Sequence, residues 1–133
     1  MQIQLDFDGT VVEHQYPKIG RENFGSMKVI KKLQEAGHEI IINTYRADLG
    51  SEPLKKAIEF LNFHHKVELK PITKYNLLKR HPLPWDWHIM RDNEIIWIDD
   101  IASDMPVKDS NFGNGKMVDW RIVDLEFSAN GIY

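Results

Sequence analysis

Asp6-Phe7-Asp8-Gly9-Thr10, at the close of the first apolar run, sets the fold expected of this chain. Two carboxylates two residues apart share one face of an extended strand. Gly9 lets the chain turn tightly at the strand's end. The expected result is a pair of acids at the carboxyl edge of a sheet, the edge where open α/β sheets bind ligands. Groups such a pair would need follow later apolar runs: Thr44 after the second, Lys74 after the third and Asp99-Asp100 after the fourth.

Outward from that stretch, strands and helices alternate. Residues 2–7 read as the first strand. Residues 11–20 read as a polar loop with Pro17 and Gly20. Asn23 or Ser26 can cap a helix with Phe24, Met27, Ile30 and Leu33 at three-residue spacing, ended by Gly37. Residues 38–43, around Ile40-Ile41-Ile42, form a second strand. Ser51 caps the next helix, with Pro53 in its first turn and Leu54, Ala57, Ile58 and Leu61 as its stripe. Residues 67–72 read as a strand, and Thr73 as the cap of a helix over 74–80. Two prolines keep 81–88 irregular. Residues 94–99 form a strand running into the acids, and 100–115 read as loop. Asp119 caps a last helix over 120–130, stopped by Gly131. Such alternation predicts βαβ units in a doubly wound, mainly parallel α/β sheet with helices on both faces, as one domain over residues 1–133.

The 133 residues suffice for a core. With 42% hydrophobic and 28% charged residues the composition is that of a globular domain. The chain has no cysteine, which excludes disulfides and thiolate metal sites. A net charge of −3 argues against wholesale coating of nucleic acid. No apolar run approaches the ~20 residues of a membrane span, and the N-terminus does not read as a signal peptide. The cytoplasm is the expected location and no membrane partner is expected.

The motif order resembles that of the haloacid dehalogenase-like (HAD) phosphohydrolases. In that superfamily Asp-x-Asp-Gly-Thr after the first strand is followed by a Thr or Ser, a Lys and a terminal acidic pair. The resemblance covers residues 1–104, and the stretch 12–20 is similar to a subgroup of small, poorly characterised bacterial and phage members. Only short loops separate the motifs where the superfamily inserts cap domains, so the resemblance implies a capless, Rossmann-like member.

That resemblance implies a Mg²⁺-dependent phosphatase working through an aspartyl-phosphate. Asp6 is the expected nucleophile and Asp8 the acid/base. Thr44 would hydrogen-bond a phosphoryl oxygen, and Lys74 would counter its charge, with Lys70 as competitor. Arg46 could clamp the substrate phosphate. Asn43, Gly9 and Thr10 complete the expected substrate-binding set. The expected metal ligands are Asp6, Asp8 through its backbone carbonyl, and Asp100, with Asp99 as an alternative and Asp104 as a weaker one. So many carboxylates need a hard cation for compensation. The expected partner is a phosphorylated substrate, either a small molecule or a nucleic-acid end, with an oligomer open.

Softer candidates are His14, Tyr16 and Lys18 as substrate contacts, and Trp85 and Trp87 as stacking rings. The basic segment of Lys66, Lys70, Lys74, Lys79 and Arg80 with His64, His65 and His81 reads as a solvated face. The rival classes are a receiver-type phospho-Asp module and a non-catalytic Mg²⁺-binding scaffold. The absence of an Asp after Ile40-Ile41-Ile42 disfavours the receiver.

Overall fold

A computed structural model describes residues 1–64, 69–80, 94–111 and 115–133. The expectations placed on His65, Lys66, His81, Trp85 and Trp87 lie outside these residues. β1 (Gln2–Leu5), β2 (Glu39–Ile42), β3 (Lys74–Tyr75) and β4 (Ile95–Ile98) form a parallel sheet in the order β3-β2-β1-β4. Strand order reverses at β1, the position where α/β sheets open a crevice for ligands.

β1, β2 and β4 are short runs of mostly apolar residues, and Ile3, Leu5, Ile42, Ile96 and Ile98 are almost wholly buried. Helix α1 (Ser26–Glu35) lays Met27, Ile30 and Leu33 into the same core. Helix α2 (Ser51–Glu59) adds Leu54 and Ala57, and runs into a wider π-helical turn, Phe60–His64. Helix α3 (Trp120–Ala129) buries Trp120, Val123 and Phe127. Its cap is Asp119, whose side chain accepts the Arg121 N–H, as the sequence predicts. Among the described residues no helix is long and apolar enough to cross a membrane.

Three expectations change. The first helix starts at Ser26 behind Gly25, which has φ +89°, and neither Asn23 nor Ser26 caps it. Asn23 instead donates to the carbonyls of Thr10 and Val118, and Ser26 to that of Val11. Phe24 is left 80% exposed. These polar side chains hold the turn after β1 rather than the helix end. Ser51 likewise makes no cap bond, since Gly50 occupies the cap position of α2.

The second change concerns residues 69–80. Residues 69–73 form no strand, and Lys74–Tyr75 is a strand rather than the start of a helix. Side-chain amides claim this backbone. Gln34 exchanges two hydrogen bonds with Lys70, Asn62 with Ile72, and Asn43 with Arg80. The Lys79 N–H donates to Asp48 Oδ1 at 2.7 Å and the Asn76 N–H to the Ile42 carbonyl at 2.9 Å. A helix of seven residues is marginal on its own, and these partners take the N–H groups it would need.

The third is the span after β4. Val107–Asp109 (β5), within the span that reads as loop in the sequence, pairs antiparallel with Lys116–Val118 (β6). Strands of three residues are too short for periodicity to reveal.

Candidate functional site

Backbone hydrogen bonds carry the ladder one residue past the strands. The Asp6 N–H donates to the Ile98 carbonyl at 2.9 Å and the Asn43 N–H to the Leu5 carbonyl at 2.8 Å. With Leu5 in register with both Ile42 and Ile98, the next residues, Asn43, Asp6 and Asp99, line one edge. Past Asp6 the chain turns at Gly9, with φ +79°. The turn is fastened from behind, because the Thr10 carbonyl accepts both Trp120 Nε1 at 2.7 Å and Asn23 Nδ2 at 2.9 Å. The Gly9 carbonyl accepts the Val118 N–H at 3.0 Å.

Asp6, Asp99 and Asp100 each bring one oxygen within 4.8 Å of the others. The Lys79 ammonium sits among them, 3.0 Å from Asp6 Oδ1 and 2.9 Å from Asp99 Oδ2. Asp6 Oδ2 accepts the Thr10 hydroxyl at 3.0 Å, and Asp99 Oδ1 accepts the Ile101 N–H at 3.1 Å. The group is charge-crowded. Burial, reinforced by the charge of Asp99, raises the Asp6 pKa to about 6 against the pull of Lys79 and Thr10. Burial, with the neighbouring Asp6 and Asp99, raises Asp100 to about 9. Burial works against the Lys79 charge, yet the two aspartates outweigh it and its pKa rises.

Asp8 lines the same space but is held apart from this cluster. Arg46 Nε donates to Asp8 Oδ2 at 2.6 Å and Arg46 Nη2 to Asp8 Oδ1 at 2.8 Å, a bidentate pair. The remaining guanidinium donors reach the Pro53 and Lys18 carbonyls. Phe7 and Tyr16 lie 5.3 and 5.0 Å from the Arg46 carbon Cζ, and Arg46 is 1% exposed. Thr44 caps a short 3₁₀ turn, Tyr45–Ala47, its hydroxyl oxygen accepting the Arg46 N–H at 3.2 Å. Among the described residues its O–H hydrogen has no acceptor, which leaves it for a ligand.

A cavity of about 250 Å³ opens onto these groups, with Asp6, Asp8, Thr44, Lys79 and Asp100 among its walls. The expected Asp6, Asp8, Thr44 and Asp100 therefore meet around one space, with Asp99 buried beside them.

Several expected residues are elsewhere. Lys74 pairs with Glu39 at 2.7 Å on the exposed flank, because it lies in β3 rather than beyond it. Lys70 donates to the Gln34 carbonyl on that same flank. The lysine among the acids is Lys79. The available signal was strand length: with the third strand ending at Tyr75, the next lysine is Lys79. Arg46 is spent on Asp8 rather than free to clamp a phosphate. Asn43 clamps Arg80, and Gly9 and Thr10 hold the turn, so these three shape the site from beneath. The Asp8 side chain is not among the clustered acids, and Asp104 lies exposed in a turn. His14 does reach the site, with Nε2 3.9 Å from Asp100 Oδ2.

No family model matches the chain, and no curated protein matches it. Among solved structures, the chain is similar to a conserved protein from Bacteroides thetaiotaomicron, at 30% identity and a TM-score of 0.61. The match covers 98% of this chain and 91% of the other.

Proposed function

We propose that this chain, which belongs to the same family as that conserved Bacteroides thetaiotaomicron protein, is a Mg²⁺-dependent phosphomonoesterase of the HAD type. In this reading the parallel sheet is the core of a doubly wound, Rossmann-like fold. The observation that carries the reading is the convergence of Asp6, Asp99 and Asp100 at the strand-order reversal, facing a cavity, with Lys79 paired to Asp6 and Asp99.

The donor set fits a hard divalent cation. All three ligands are carboxylate oxygens, and the raised pKa values of Asp6 and Asp100 mark negative charge that one lysine does not offset. Asp6, Asp99 and Asp100 would hold the ion, which when bound neutralises them and the ester's phosphate and so lets two anions meet.

The chain's own residues do the rest. An Asp6 oxygen attacks phosphorus and the bond to the leaving oxygen breaks, giving an aspartyl-phosphate. Thr10 and Lys79 fix the Asp6 carboxylate for that attack. The Thr44 O–H donates to a phosphoryl oxygen. Asp8 gives a proton to the leaving oxygen, then takes one from the water that attacks phosphorus and frees Asp6. Arg46 holds Asp8 toward that task, and each Asp8 oxygen keeps a lone pair beyond the Arg46 bonds.

The test is phosphate release from a panel of phosphomonoesters, including phosphorylated nucleic-acid ends. It is run with Mg²⁺, with a chelator and with Asp6→Asn. Release that needs both the metal and Asp6 supports the reading. Mg²⁺ binding without release from any ester points instead to the non-catalytic scaffold.

A further inference from the structure

The mouth of the cavity contrasts with its floor. Four large apolar side chains rim it: Tyr16, Tyr45, Leu49 and Ile101, exposed by 42%, 48%, 58% and 57%. Exposed apolar groups gathered in one place mark a binding surface more often than scattered ones do. Both tyrosine rings are tied to the cations beneath them. The Tyr45 ring centre is 4.3 Å from Lys79 Nζ, which is itself 3.0 Å from Asp6 Oδ1. The Tyr16 ring centre is 5.0 Å from the Arg46 carbon that carries the Asp8 clamp. Each ring thus has a fixed place beside the reacting carboxylates and leaves part of its surface open.

Among the described residues the rim is also poor in hydrogen-bonding groups. Lys79 and Arg46 are committed to Asp6, Asp99 and Asp8. What remains at the rim, among the described residues, is His14 and the tyrosine hydroxyls. A leaving group dense in hydroxyls would give up water there without replacement, which is unfavourable. A flat apolar ring gives up nothing of the kind and stacks on an aromatic face. At about 250 Å³ the cavity lies below the ~300–1,000 Å³ of pockets enclosing drug-sized ligands and suits a phosphate with a small leaving group whose far end rests on the open rim.

We infer that the rim of Tyr16, Tyr45, Leu49 and Ile101 selects small phosphomonoesters whose leaving group carries a planar aromatic ring, such as a nucleoside or a benzylic alcohol. This rests on the phosphomonoesterase reading of the acid cluster beneath.

Two matched pairs test it. Adenosine 5′-monophosphate and ribose 5-phosphate share a primary alkyl leaving oxygen and differ by the base. Benzyl phosphate and cyclohexylmethyl phosphate differ only in ring aromaticity. The expected result is a kcat/KM about tenfold or more higher for the aromatic member of each pair. A preference in the first pair alone assigns the rim to nucleosides, and one in the second alone to simple aryl groups. Tyr45→Leu should lower the aromatic-to-saturated ratio about tenfold. The ratio cancels any loss the variant causes through Lys79. Equal kcat/KM within both pairs, or a ratio unmoved by Tyr45→Leu, overturns the inference. If no ester is hydrolysed, the ratio is read from binding by calorimetry with Mg²⁺ present. Tighter binding of adenosine 5′-monophosphate than of ribose 5-phosphate then sustains the rim and overturns only the phosphatase reading. Equal affinity overturns the rim.

Discussion

Lys79→Met separates the lysine that the structure places among the acids from the one the sequence favours. Methionine keeps most of the bulk and removes the charge. The Lys79 side chain is 2% exposed, and its partners Asp6 and Asp99 are 5% and 1% exposed. Breaking a buried pair leaves carboxylates uncompensated and costs about 3–5 kcal/mol. Lys74 pairs with Glu39 where the side chains are 63% and 48% exposed, and such pairs are worth about 0–1 kcal/mol. Urea denaturation at pH 7 in a chelator should therefore show Lys79→Met losing about 3–5 kcal/mol and Lys74→Met within about 1 kcal/mol of the unmodified protein. The sign with pH follows from the acids. Asp6 and Asp100 have folded pKa values above the unfolded one, so proton binding favours the fold. Without Lys79 the pull of Asp6 on protons grows, and the Lys79→Met deficit should shrink from pH 7 to pH 5. Equal losses for Lys79→Met and Lys74→Met, or a deficit that grows on acidification, would mean that Lys79 does not compensate these acids.

Three further outcomes follow from the same geometry. In a chelator, Asp6 and Asp100 contribute their full stability below about pH 4 and lose it as the pH climbs through about 6 and then about 9. Mg²⁺ should flatten that fall, and Asp100→Asn should remove much of it; slopes identical in Asp100→Asn and the unmodified protein would contradict this. Gly9→Ala strains a position at φ +79° by about 1–2 kcal/mol. It also drives a Cβ to 2.6 Å from Asp100 Oδ2, so calorimetry should show weaker Mg²⁺ binding, and an unchanged affinity argues against Asp100 as a ligand. Arg46→Lys replaces a two-pronged contact with a single one and should lower kcat about tenfold or more, with little further loss when Asp8→Asn is already present. Fully additive losses would mean that Arg46 acts elsewhere than through Asp8.

The parts of the fold legible in sequence are those set by local chemistry. Ile40-Ile41-Ile42 and Ile95-Ile96-Trp97-Ile98 are apolar runs too short for helices. Gly37 with φ +88° follows the end of α1, and Asp119 caps α3. The acids after β1 and β4 were legible for the same reason, since each ends a strand whose parallel neighbour is fixed. What sequence hid is non-local. Residues 76–80 are shaped by Asn43 and Asp48, over thirty residues away in the chain, and that capture brings Lys79 into the cluster. Arg46 looked like a free cation because its partner, Asp8, lies 38 positions earlier. Asn23 has the composition of a helix cap and serves as a staple between Thr10 and Val118, a link no local pattern encodes.

The most direct measurement is of the bond itself. The protein is mixed with Mg²⁺ and its best ester, or with acetyl phosphate as a small phosphoryl donor, quenched in acid and mapped by mass spectrometry. One added phosphoryl group is expected, on Asp6 and absent from Asp6→Asn. Turnover without such an adduct, or an adduct on another residue, would rule out Asp6 as the nucleophile.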